Sequence, residues 1–426
     1  MKIDHVKVQG YRSLYDITLV PQPLTVLVGP NNGGKSNLIE AIDFLAEVYR
    51  LGLEVAVSRK GGIENIAFRR MRRTKRPLSF ELKATFDAQG IVPGPGNRSP
   101  GRASVVEVSA VHRFALATRS QRAREDYVVT QESLHMAARA QGASKSSSIR
   151  WQRFPDDPAP FSLEDETELG PLLWRMPFEN RDLLTAVVES TRPTELAVSI
   201  FERMNPIIGQ FAETTGSTRE FQLEPLECRA AGVPTPNAEL DRHGRNLPAV
   251  VDYMRKNDPR AWAQVLDAMR RIVPGLDDVR TEFTPDRRLA LQFFERGVGR
   301  HWSSEDVSDG TIRSLALFVA ILDPRTPVVL VEEPENATHP WILRTFVEAC
   351  RSAQKQVFLT THSPVMVENV KPEELVVVWR QDGRTRVEQL PSLDADIPTM
   401  WGEGKVTLFE LLDSGLVPQA VPGVAD

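Results

Sequence analysis

The sequence predicts an α/β protein with parallel strands, and three observations carry that prediction. A short apolar, β-branched run, Leu24-Thr25-Val26-Leu27-Val28, leads into Gly29-Pro30-Asn31-Asn32-Gly33-Gly34-Lys35-Ser36, which fits the pattern G-x-x-x-x-G-K-[ST]. Residues 36–50 follow with Leu38, Ile42 and Leu45 on one face and Ile39 beside them, the spacing of an amphipathic helix. Far along the chain, 328–331, 341–350 and 357–360 read as strand, helix and strand, a β-α-β unit that implies parallel strands and a right-handed crossover.

The remaining elements fall in order around these. Residues 3–8 read as a first strand, and 79–86, 104–114, 127–130 and 149–154 as further strands. Between them, 91–102 and 140–148 are rich in Gly, Pro and Ser and read as loops. Residues 165–275 are mostly helical in pattern but are cut by prolines at 171, 177, 193, 206, 259 and 274. No heptad persists for three repeats, which excludes long coiled-coil arms. A strand at 288–294 leads back to a second α/β block, and 312–322 is an apolar helix within it. The expected organisation is a β-rich first lobe at 1–164, a helical insertion at 165–285, an α/β second lobe at 286–390 and a tail at 391–426.

The 426 residues are 41% apolar and 26% charged, close to the globular average, so the chain can bury a core. A net charge of −5 argues against a uniformly basic nucleic-acid binder but leaves room for a local patch. The longest apolar run, 315–322, is far short of the ~20 residues that span a bilayer, and the start, Met1-Lys2-Ile3-Asp4-His5, has no apolar signal segment. Cys228 and Cys350 make neither a disulfide framework nor a zinc site. A cytoplasmic protein without membrane contact is expected.

Glycines in the 29–36 loop let successive N–H groups curl around a phosphate, and the helix that follows adds partial positive charge. Lys35 is expected to reach the β- and γ-phosphates of a nucleotide, and the Ser36 hydroxyl to ligate Mg²⁺. Gly29, Asn31, Asn32, Gly33, Gly34, Lys35, Ser36 and Asn37 are the expected nucleotide contacts. Such a loop needs a carboxylate at the end of a neighbouring strand. Val328-Val329-Leu330-Val331-Glu332-Glu333 supplies two: Glu332 for the Mg²⁺ shell, with a longer reach than the more usual Asp, and Glu333 to polarise the attacking water. His362, after Val357-Phe358-Leu359-Thr360-Thr361, stands at the same sheet edge, where a neutral imidazole can bond a phosphate oxygen or place water. Upstream, Ser308, Asp309 and Gly310 open the helix 312–322 and form a second helix N-terminus able to hold an anion.

In this order, the loop, Ser308-Asp309-Gly310-Thr311, Glu332-Glu333-Pro334-Glu335-Asn336-Ala337-Thr338-His339-Pro340 and Thr360-Thr361-His362-Ser363-Pro364 resemble the ABC-type ATPases. The resemblance is closest to the RecF/SMC-like and OLD-like branch of AAA family ATPases, found in DNA repair and antiphage defence. Tyr11-Arg12-Ser13-Leu14 is similar to that branch too, and implies that Arg12 reaches the nucleotide. The resemblance touches 1–90 and 240–380. It implies a β-rich first lobe and parallel second lobe, ATP and Mg²⁺ as cofactors, and a head-to-tail homodimer in which Ser308 contacts the γ-phosphate held by a second copy. Asp309 stands where transporters have Gly, and Ala337-Thr338 where Gly-Leu is usual. The family's Q-loop glutamine is left unassigned, and Gln89 fits it by spacing alone.

The 64 residues after His362 are too few for the TOPRIM domain of OLD nucleases, and Asp394-Ala395-Asp396 reads as a solvated loop. The expected function is an ATPase acting as sensor or scaffold of a bacterial antiphage complex with a separate, nuclease-like effector. The alternative is a RecF-like repair ATPase that binds DNA ends or gaps. Residues 59–76 hold Arg59, Lys60, Arg69, Arg70, Arg72, Arg73, Lys75 and Arg76 against Glu64 alone, a net +7 that suits either a DNA backbone or an acidic partner.

Overall fold

A computed structural model describes residues 1–68, 77–92, 102–118, 127–140, 147–154, 161–165, 186 and 188–421. The chain divides into two compact units. One comprises residues 1–21, 37–218 and 380–387; the other comprises 22–36, 219–379 and 388–426.

The first unit is built on a seven-stranded sheet. Its strands are β1 (Lys2–Tyr11), β2 (Leu14–Leu19), β4 (Leu78–Val92), β5 (Arg102–Thr118), β6 (Tyr127–Ala140), β7 (Ser147–Arg153) and β8 (Phe161–Asp165), in the order β2-β1-β4-β5-β6-β7-β8 with every neighbouring pair antiparallel. Apolar residues alternate inward, as an antiparallel sheet with one covered face requires. Tyr11, Phe44 and Phe80 meet with ring centroids 5.4–5.8 Å apart, and Phe80 stacks on Phe114 at 5.2 Å. Phe44 belongs to the helix Lys35–Leu51, whose residues from Asn37 onward count with this unit. A second helix, Pro206–Gly216, places Phe211 against Tyr49 and Phe86.

A polar chain runs through this core. Tyr49 Oη lies 2.6 Å from His112 Nδ1, and His112 Nε2 lies 3.3 Å from Glu132 Oε1. The Glu132 carboxylate also accepts the N–H groups of Ala197 at 2.7 Å and Val198 at 3.0 Å, and faces Arg153 at 3.7 Å. Every member is buried, so the network is stable only because its partners are present.

The second unit contains a parallel sheet. Strands β3 (Leu24–Val28), β9 (Arg219–Phe221), β13 (Val328–Glu332), β14 (Gln356–Thr360) and β15 (Leu375–Gln381) lie in the order β15-β3-β14-β13-β9. β3 and β14 are buried along their whole length, which accounts for their unbroken apolar runs. Helices Pro259–Ile272, Asp309–Leu322 and Pro340–Ser352 pack into the same core, with Met269, Phe318 and Phe346 among its buried members. A small antiparallel sheet, β10 (Leu276–Phe283), β11 (Leu289–Glu295) and β12 (Trp302–Ser303), completes the unit.

Three differences from the expected elements have physical causes. The stretch 165–285 contains β9 and β10, and the chain divides at Thr218/Arg219. β9 is three residues long and is a strand only because it pairs with β13. β6 continues ten residues beyond Thr130; its Gln, Glu, Leu, Met and Ala favour helix in isolation, and pairing with β5 overrides that preference. The expected loops 91–102 and 140–148 are strand at both ends, and their middles, 93–101 and 141–146, lie outside the described residues. Among the described residues no helix is long and apolar enough to cross a membrane.

Candidate nucleotide site

The site residues in the second unit sit at the C-terminal ends of β3, β13 and β14. The loop after β3 owes two of its glycines to close backbone approach. A Cβ on Gly29 would lie 2.1 Å from the Val378 carbonyl oxygen of β15, and one on Gly33 2.6 Å from the same atom. The loop therefore presses flat against β15, which only glycine permits. Asn32 (φ 66°) and Gly34 (φ 112°) turn the chain through left-handed conformations, and Gly33 N–H donates to Pro30 O at 3.1 Å. The helix then starts at Lys35. A helix N-terminus carries partial positive charge, the property on which the motif reading relies.

Lys35 is buried, and Nζ donates to Gly29 O at 2.8 Å and Pro30 O at 3.1 Å. Burial pushes its pKa down to about 8, against the opposing pull of Glu333 and Glu335. Ser36 Oγ donates to Glu332 Oε2 at 3.2 Å. An alcohol and a carboxylate oxygen side by side are hard donors of the kind that hold Mg²⁺ while leaving waters and phosphate oxygens in its shell. The residues present thus fit the ion that ATP carries.

Glu333, one residue past the end of β13, has φ 47°. That strained turn is fixed from three sides: Glu333 N–H donates to Thr360 O at 3.0 Å, Arg313 Nη2 donates to Glu333 O at 2.9 Å, and Asn336 Nδ2 donates to Glu333 Oε2 at 2.7 Å. A cavity of about 120 Å³ opens beside it, lined by Gln222, Glu224, Arg313, Glu332, Glu333 and Asn336 among others. His362 follows β14; partial desolvation and the Lys35 ammonium lower its pKa, while Glu333 and Glu335 oppose them. The neutral imidazole is therefore favoured at neutral pH.

Ser308 caps the helix Asp309–Leu322 by accepting the Thr311 N–H at 3.2 Å, and both Ser308 and Asp309 are exposed. Arg229 braces this entry, donating to the carbonyls of Ser304 and Val307 and pairing with Asp309 Oδ1 at 2.5 Å. A Cβ on Gly310 would lie 3.3 Å from Ala337 O, so the helix start approaches the loop beyond Glu333.

Of the expected contacts, the second unit thus brings Gly29, Gly33, Gly34, Lys35, Ser36, Glu332, Glu333 and His362 to one sheet edge. Asn31 and Asn32 are exposed on the loop. Arg12 and Asn37 belong to the first unit. There Arg12 (φ 48°) pairs with Glu40 and donates its N–H to Ile66 O at 2.7 Å, and Asn37 Nδ2 donates to Ser13 Oγ at 2.7 Å. Arg59 and Lys60 are engaged with Glu47 and Asp43, Lys60 at 2.9 Å from Asp43. Residues 69–76 of the basic stretch lie outside the described residues, as does the side chain of Gln89. Asp394 Oδ1 accepts the Asp396 N–H at 2.9 Å, a local turn. Sequence reasoning missed Arg229, Arg313 and Glu335. The two arginines sit in no motif, whereas Glu335 lies inside one and is readable only once its partners are known.

Comparison with known proteins matches both ends of the chain to ATPase families. Residues 1–157 match a family described as "AAA ATPase domain", and residues 193–368 one described as "AAA domain, putative AbiEii toxin, Type IV TA system". The DNA replication and repair protein RecF of Frankia alni is 35% identical over 103 residues, 23% of this chain and 25% of that protein. RecF of Beutenbergia cavernae is 32% identical over 123 residues, 28% of this chain and 29% of that protein. The chain spans about a quarter of the length of these curated relatives. Among solved structures, an Smc head bound to the C-terminal winged-helix domain of ScpA aligns over 91% of this chain and 97% of its own, with 14% identity and TM-score 0.44. The SMC head of Thermotoga maritima aligns over 91% and 99%, with 11% identity and TM-score 0.39. Each end of this chain is thus similar to an AAA ATPase family, with loop, capped helix, paired glutamates and histidine following in that order along it.

Proposed function

We propose that the chain hydrolyses ATP at the β3–β13–β14 edge and uses the cycle to close and open a head-to-tail homodimer that serves a separate effector in a bacterial antiphage complex. The observation that carries the catalytic part is the Ser36–Glu332 contact at 3.2 Å with Glu333 held immediately beyond it. Mg²⁺, when bound with ATP, supplies charge neutralisation on the phosphates. Ser36 and Glu332 are the residues that would hold it. Lys35 places its ammonium at the loop, where the β- and γ-phosphates belong. Glu333, locked by Arg313, Asn336 and Thr360, accepts the proton of the attacking water, and neutral His362 bonds a phosphate oxygen or that water. Exposed Ser308 is available to the γ-phosphate of a second copy. Two exposed helix-cap residues, Ser308 and Asp309, support this assignment, because an anion-binding end left open to solvent suits a ligand brought from outside.

The test replaces Glu333 by Gln. ATP should still bind, hydrolysis should fall at least ~100-fold, the size of a general-base loss, and sedimentation with ATP should show a dimer. Proteins retained with this trapped form in a pull-down from the native host would reveal the effector. Wild-type turnover in Glu333→Gln would end the base assignment. A second reading, a RecF-like ATPase that binds DNA ends or gaps, is favoured by the 35% and 32% identity to RecF proteins. ATP-dependent DNA affinity with no partner retained would select it.

A further inference from the structure

The loop beyond β13 carries one carboxylate that the hydrolytic roles of Lys35, Glu332, Glu333 and His362 leave unused. Glu335 Oε1 accepts two hydrogen bonds from the end of the adjacent strand β14, one from Thr361 Oγ1 at 2.8 Å and one from the His362 backbone N–H at 2.8 Å. Thr361 is buried, at 1% exposure, and its hydroxyl also accepts the Ser363 N–H at 2.9 Å. The other oxygen, Glu335 Oε2, is itself buried and has no hydrogen-bond partner. The loop is closed around this side chain: Asn336 N–H donates to Glu333 O and Thr338 N–H to Glu335 O, both at 3.1 Å, with left-handed residues at Glu333 and Ala337.

Glu333 and His362 therefore stand on neighbouring strand ends, and Glu335 is a side chain that bonds one end to the other. A loop that needed only a stable turn would not require a carboxylate here. A buried acceptor left without a donor lowers the stability of the fold that holds it. The arrangement is intelligible if the spacing between the two catalytic groups matters more than local stability.

We propose that Glu335 is a positioning residue for ATP hydrolysis, tying Thr361-His362 to the Glu333 loop so that base and histidine keep one fixed spacing. This role presupposes hydrolysis with Glu333 as base. Displacing a catalytic group by about 1 Å can cost roughly 100-fold in rate, so loss of the tie should act on turnover and not on nucleotide binding.

The experiment is a double-mutant cycle on the full chain with three readouts. Glu335→Ala should lower kcat by about 10- to 100-fold and leave the affinity for a non-hydrolysable ATP analogue largely unchanged. Hydrogen exchange at the His362 amide, measured without nucleotide, should quicken because its acceptor is gone. In a His362→Ala background the same substitution should cost little further kcat, since the group it positions is absent. Glu335→Gln keeps an acceptor oxygen and should recover most of the loss. If Glu335→Ala does not fold, Thr361→Val removes one of the two donors and should show a smaller loss with the same dependence on His362. Equal losses with and without His362, or an unchanged kcat alongside faster exchange, would overturn the proposal. Glu333→Gln, run beside these, separates the cases: if it retains full turnover the hydrolytic assignment has failed, whereas if it is inactive and the cycle is additive only the positioning role has.

Discussion

Lys35 illustrates how one buried side chain gives the site a pH limit. Its pKa lies near 8 because burial disfavours the ammonium. Between about 8 and the unfolded value the folded state binds fewer protons, so this group makes stability rise with pH there. Phosphate binding needs the charged form and moves the other way. The affinity for ATP should therefore fall as pH climbs through about 8, and Lys35→Arg, which stays protonated, should flatten that profile in a fluorescent-nucleotide titration. Glu332 invites a second test at this scale. Its Oε2 meets Ser36 Oγ at 3.2 Å, and Glu332→Asp withdraws the oxygens by one carbon–carbon bond, about 1.5 Å. The Mg²⁺ concentration for half-maximal hydrolysis should rise on the order of 10-fold, with metal-free nucleotide binding unchanged. A Glu332→Asp variant with the wild-type Mg²⁺ requirement would place the ion elsewhere.

Elements reveal what the sequence displays and what it hides. The helix Lys35–Leu51 and strands β3, β13 and β14 are legible because each couples a clear apolar pattern to a motif at one end. β9 is not, since three residues carry no period, and the long β6 is not, since its alanines fit a helix equally well. The buried chain Tyr49–His112–Glu132–Arg153 was invisible for another reason: its members come from four elements, and nothing local marks them as partners. Glu132 also accepts the Ala197 and Val198 N–H groups, so Glu132→Ala removes the acceptor for two backbone donors and leaves Arg153 buried without its carboxylate. Breaking a buried pair from one side costs about 3–5 kcal/mol. The urea midpoint of the variant should drop accordingly, while ATP hydrolysis in the folded fraction should persist. Among the site residues, those in strand-end motifs were readable; Arg229 and Arg313 were not, because an arginine that serves backbone carbonyls looks like any solvated one.

At the scale of the whole molecule, the proposed head-to-tail dimer requires exposed Ser308 to meet the phosphate held by a second copy. Ser308→Arg should spare ATP binding, abolish the concentration dependence of specific activity, and leave the ATP-bound Glu333→Gln form monomeric in sedimentation. An ATP-dependent dimer that survives this substitution would relocate the interface. For nucleic acid the ion pairs of Arg59 and Lys60 matter, because charges already matched by Glu47 and Asp43 release few counterions. The variant to make is therefore Arg69, Arg70, Arg72 and Arg73 replaced by Glu. If these residues touch a duplex, affinity should fall for all sequences alike, and the slope of log affinity against log salt should shrink by ~0.9 for each phosphate no longer neutralised. A wild-type chain without measurable DNA affinity at low salt, with or without ATP, would instead favour docking of an acidic protein, which a pull-down with the same variant would detect.

The contact between the phosphate loop and β15 bears on how such chains are trimmed and compared. What shapes Gly29 and Gly33 is the carbonyl oxygen of Val378, and every amino acid presents that atom. Position 378 can therefore drift among apolar residues without leaving any signature, although it moulds the loop proposed to hold the phosphates. The matched ATPase region ends at residue 368, before β15 begins. A fragment cut at that boundary would keep every recognisable motif and lose the surface against which the first of them is cast.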